Sequence, residues 1–182
     1  MTAANRFWNV WRILGWGAAA TLLLLPLVAM RFTDEVNWTP SDFVFAGVLI
    51  ASVGGAFELA VHLSGSRAYR MAAGIGLAGI FLMVWINGAA GIVANENQPA
   101  NLMLFAVVLV GMTGALVARL RPHGMVYAMM AMAAAQTVIA AIVLAMGLDL
   151  KALPLCLFFA GLWLFSALLF RKAAAEPVES PS

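Results

Sequence analysis

The sequence predicts an all-α protein: a bundle of six transmembrane helices with both ends of the chain in the cytoplasm. Three observations predict it. First, 64% of the 182 residues are apolar and only 10% are charged. An ordinary soluble domain has about 45–50% apolar and about 25% charged residues, so a soluble chain of this composition would lack polar surface to cover itself. Second, six apolar stretches, 12–30, 42–63, 71–94, 101–118, 124–147 and 153–170, are each long enough to cross a hydrocarbon core of ~30 Å. Third, Arg6, Arg12, Arg67, Arg70, Arg119, Arg121, Arg171 and Lys172 flank these stretches on one side, and only Arg31 and Lys151 flank them on the other. That asymmetry orients a membrane protein with its basic side inward. The location expected is a bacterial cytoplasmic (inner) membrane, crossed several times.

The elements follow in order. The first stretch comes after NRFWNVWR and ends LLPLVAMRF. It has the basic start and apolar run of a signal peptide but no A-x-A cleavage pattern, so it reads as a retained anchor. Pro26 removes one helix hydrogen bond and marks a place for a kink. The outer loop FTDEVNWTPSDF leads to Thr39-Pro40-Ser41-Asp42, a helix start in which Thr39 or Ser41 caps and Pro40 fits the first turn. Asp34, Glu35 and Asp42 cluster there as a solvated acidic loop or a collector of cations. The second outer loop, NENQPANL, reads as a turn followed by an Asn cap. Trp8, Trp11, Tyr69 and Tyr127 fall near the inner interface and Trp38 near the outer one, as an aromatic belt would. Short connections make consecutive helices antiparallel neighbours. One helical domain is expected over residues 1–172. A disordered polar tail, AAAEPVESPS, is expected over 173–182.

Residues 47–62, GVLIASVGGAFELAVH, stand apart. Gly47, Ala51, Gly54, Gly55, Glu58 and His62 share an arc of roughly 100° on a helix. Small residues at this spacing admit a close neighbouring helix in lipid. The four small ones are therefore expected to form a packing seam that turns Glu58 away from lipid. Glu58 and His62, at i and i+4, can touch. They form either a proton-binding pair or, more plainly, a structural pair with Arg12, Arg70 or Arg119. Asn87 in the third stretch and Gln136 in the fifth carry amides that need partners in hydrocarbon. They line a path to Glu58 or act as interhelical glue.

No composition or motif nominates a catalyst. There is no phosphate loop, no HExxH and no nucleophilic triad. No set of metal ligands stands out, and no basic tract suits nucleic acid. Met125, Met129, Met132 and Gln136 share a helix face that could pass Cu(I), but methionine is also a flexible packer. His62 and His123 could ligate a haem only if both rings converged, and His123 lies in a loop. No cofactor, quinone included, is assigned. The lone Cys156 forms no internal disulfide.

The stretches LLPLVAMRFTDEVNW, VWINGAAGIVANENQPANLM and ARLRPHGM, taken together, resemble uncharacterised small multi-pass inner-membrane proteins of Gram-negative bacteria. The resemblance covers most of residues 20–170. It implies location and helix count and carries over no functional residue. Two function classes then stand side by side. One is a non-enzymatic accessory or scaffold subunit that packs with another membrane protein or with its own copies. The other is a small proton-coupled transporter or channel-like protein using Glu58, Asn87 and Gln136. Convergence of those three residues on one cavity would separate the two.

Overall fold

The computed structural model describes residues 3–90, 92–93, 99–147 and 150–176, with backbone alone for 3–9, 11 and 99. Among these the chain forms six α-helices: α1 Ala3–Ala29, α2 Pro40–Leu63, α3 Arg67–Ala89, α4 Leu102–Val117, α5 Pro122–Ala145 and α6 Ala152–Ala175. All but α4 are long and apolar enough to cross a membrane. Such helices mark the chain as an integral membrane protein. The expected span 101–118 is a shorter helix of 16 residues, about 24 Å long. A 3-10 turn, Pro99–Asn101, precedes it and adds about 6 Å. α6 runs through Ala175, so residues 173–175 of the expected tail are helical. Residues 177–182 lie outside the described residues, as do Asn95, Glu96, Asn97 and Gln98 of the second outer loop and the side chains of Arg6, Trp8 and Trp11.

The chain divides into two compact units, Met1–Gly55 and Ala56–Ser182. The first holds α1 and most of α2. Thr39 caps α2: the Asp42 carboxylate accepts from its backbone N–H at 2.7 Å and from its hydroxyl at 2.7 Å. This is the carboxylate half of a capping box, with Pro40 at the first helical position. Further along α2, a Cβ at Gly54 would lie 3.0 Å from the Trp16 ring, and one at Gly47 would lie 3.8 Å from Leu23. Both glycines therefore receive side chains of α1.

The second unit holds the main core, in α3 to α6. α6 packs along α5 and α3, and α4 packs along α5. α3 thus takes α6 as its principal neighbour and touches α4 little, although α4 follows it in sequence. Glycines explain the choice. A Cβ at Gly79 would fall 2.7 Å from the Trp163 ring, so only glycine lets that fully buried indole lie against α3. One turn earlier, a Cβ at Gly76 would sit 3.3 Å from the Ser166 hydroxyl. That hydroxyl donates to the Ala72 carbonyl at 2.9 Å. Close approach of this kind supplies van der Waals packing, the main attraction between helices in lipid.

Two helix ends have identifiable causes. α3 stops at Ala89 rather than near 94: the Ala90 N–H still bonds back to Ile86 O at 3.0 Å, but the N–H groups of Ile92 and Val93 have a partner outside the helix. Asn101 Oδ1 accepts from the N–H groups of Ile92 at 3.1 Å and Val93 at 2.8 Å. α4 stops at a turn in which Arg119 and Leu120 have positive φ, 50° and 57°. Left-handed geometry costs a residue with a Cβ roughly 1–2 kcal/mol. The turn is held by the Leu120 N–H donating to Ala115 O at 3.1 Å, and by the Tyr69 hydroxyl donating to Leu120 O at 2.7 Å. Tyr69 is itself buried and lies edge-on to Phe170 of α6, 5.1 Å between ring centres. One tyrosine therefore ties the start of α3, the α4–α5 turn and the end of α6.

Candidate functional site

The polar residues expected inside the membrane fall in three separate places. Glu58 is half-buried, and His62, one turn later, is exposed. Both lie in the last two turns of α2. This helix end is closed by Arg70 of α3, whose guanidinium donates to Ser64 O at 2.8 Å and to Val61 O at 3.3 Å. A cation on terminal carbonyls satisfies acceptors that have no partner within the helix and opposes the negative end of its dipole. Ser66 then starts α3 as its cap, accepting from Tyr69 N–H at 3.1 Å. Glu58 is therefore close to the point where the chain turns from α2 into α3.

Asn87 lies at the other end of α3, 20 residues after its first residue, Arg67, which is about 30 Å along the axis. It is buried, and its amide nitrogen donates to the Asn101 carbonyl at 3.3 Å. Its oxygen accepts from the Ile92 N–H at 3.4 Å. Asn87 and Asn101 together gather the backbone groups freed where α3 ends and α4 begins. The sequence marked Asn101 only as a helix cap. The structure shows no side-chain capping bond from it to α4 and uses its side chain across the loop instead.

Gln136 lies midway along α5 and is fully buried. Neither amide atom of Gln136 has a hydrogen-bond partner. The buried Nε1 of Trp163 is in the same condition. The Trp163 ring lies against Gly79 of α3. Of these two unpartnered groups only Gln136 stood out in the sequence.

The remaining candidates are placed as follows. Met125, Met129 and Met132 are buried in the core. The sulfur of Met132 fills the space beside Gly111, 2.5 Å from where a Cβ would stand. His123 is exposed in the first turn of α5. Among the described residues no three His, Cys, Asp or Glu side chains gather as a metal would require. Of the four small residues on α2, Gly47 and Gly54 face α1, whereas Ala51 is exposed and a Cβ on Gly55 would meet nothing within 4 Å. Comparison with known protein families, with curated proteins and with solved structures gives no match.

Proposed function

We propose that this protein is a non-enzymatic accessory or scaffold subunit of a bacterial inner membrane, and that α2 is its contact with another membrane protein. The observation that carries the proposal is the open half of the α2 small-residue stripe. Within the unit Met1–Gly55, Gly47 and Gly54 are used by α1, while nothing in that unit covers Ala51 or Gly55. Gly and Ala on a membrane helix give little contact to lipid but allow a second helix close approach. The three separate positions of Glu58, Asn87 and Gln136 support the accessory reading over a transport path, since a path needs its polar groups in one cavity.

The test is a substitution that blocks the open half. In mild detergent the wild-type protein is expected to co-purify with one membrane protein in fixed ratio. Gly55→Leu is expected to lose that partner while keeping its own melting temperature, because space is open around the new side chain. Retention of the partner by Gly55→Leu would remove the α2 contact from the account.

A further inference from the structure

We propose that the furrow between α4 and α5, with the basic turn that joins the two helices, binds one anionic phospholipid. Its acyl chain lies along the furrow and its phosphate sits at Arg119 and Arg121. This is independent of the accessory reading.

The furrow follows from small residues at the helix contact. A Cβ at Gly114 would fall 2.7 Å from the Ala128 Cβ, and one at Gly124 would fall 2.5 Å from the Ala118 Cβ. The two backbones thus approach as closely as glycine permits. Small residues form the floor, and larger neighbours stand up on each side: Leu109 and Val117 from α4, and Tyr127 from α5, all well exposed. The result is an apolar groove of about 640 Å³. Its shape and lining suit a hydrocarbon chain.

The charge at its end selects the headgroup. The groove runs to Ala118 and Gly124. Arg119 and Arg121 follow Ala118, and His123 precedes Gly124; all three are exposed. From Asn97 to Leu148 the sequence has no acidic residue, so neither helix supplies a carboxylate to these cations. No side chain caps the N-terminus of α5, and an uncapped helix start also favours an anion. The Tyr69 hydroxyl fixes the turn through Leu120 O, so the two arginine backbones are held at the groove rather than on a loose loop. Basic residues at a membrane surface are expected for orientation alone. Here they end a groove that fits an acyl chain, which orientation does not require.

Delipidated protein in mild detergent should be titrated with phosphatidylglycerol and, separately, with phosphatidylcholine of the same chains, counting bound lipids by native mass spectrometry. One phosphatidylglycerol is expected to bind more tightly than phosphatidylcholine, by about fivefold for each contributing arginine. Arg119→Ala and Arg121→Ala should each remove about that factor and leave phosphatidylcholine unchanged. Thr113→Phe, which fills the groove, should weaken both lipids. Lys151→Ala should weaken neither. Equal binding of the two lipids by the wild-type protein would overturn the proposal. So would displacement of phosphatidylglycerol by inorganic phosphate, which would make the turn a free-anion site. Neither readout depends on a variant that folds.

Discussion

Asn87 and Gln136 are both amides within apolar helices, yet their surroundings differ. Asn87 donates to the Asn101 carbonyl and accepts from Ile92, whose N–H also reaches Asn101 Oδ1, so its removal deprives one buried backbone group, the Asn101 carbonyl, of this partner. The Gln136 amide has no hydrogen-bond partner. An unsatisfied buried polar group costs about 1–3 kcal/mol. Asn87→Leu is therefore expected to lower the melting temperature in detergent, by about 1–2 kcal/mol of stability. Gln136→Leu, close in shape, is expected to leave the melting temperature unchanged or raise it. A loss of equal size in both would contradict the separate roles given to them. The sequence showed both residues, because an amide stands out in an apolar run. It could not show their difference, which depends on Asn101, fourteen residues further on.

The helices themselves were largely legible, since long apolar runs with basic flanks admit few other structures in lipid. Their ends were less so. GIVAN continues the apolar run of α3, and only the capture of Ile92 and Val93 by Asn101 shows why the helix has already stopped. Partner choice was not legible either. Glycine at 76 and 79 announces close approach but does not say that Trp163 and Ser166 of α6, rather than α4, fill the space. The same limit applies on α2, where one stripe of small residues divides between a covered and an open half. Gly54→Leu should collide with Trp16, 3.0 Å from a Cβ at that position; overpacking of this kind costs about 1–3 kcal/mol. Gly55→Leu should melt like the wild type. Equal melting shifts would mean that the stripe is not divided in this way.

At the scale of the molecule, the chain clusters into two compact units, Met1–Gly55 and Ala56–Ser182. Periodicity reports which residues are apolar but not how many contacts a helix makes once folded. Orientation is a proposal that rests on the eight-to-two division of Arg and Lys. Cysteines placed at 33 to 37, in a Cys156→Ala background, should react with an impermeant thiol reagent in intact cells, and cysteines at 64 or 65 should not. The opposite pattern would invert the protein in the membrane.

Contact of α2 with another membrane protein is tested most directly by cross-linking from that helix in the native membrane. A photoreactive residue placed at Gly55 should give one discrete band with a second membrane protein, lost when Ala51→Leu blocks the same face. The same residue placed at Leu164, exposed on α6, should give only lipid adducts. Lipid adducts alone from both positions would contradict the account.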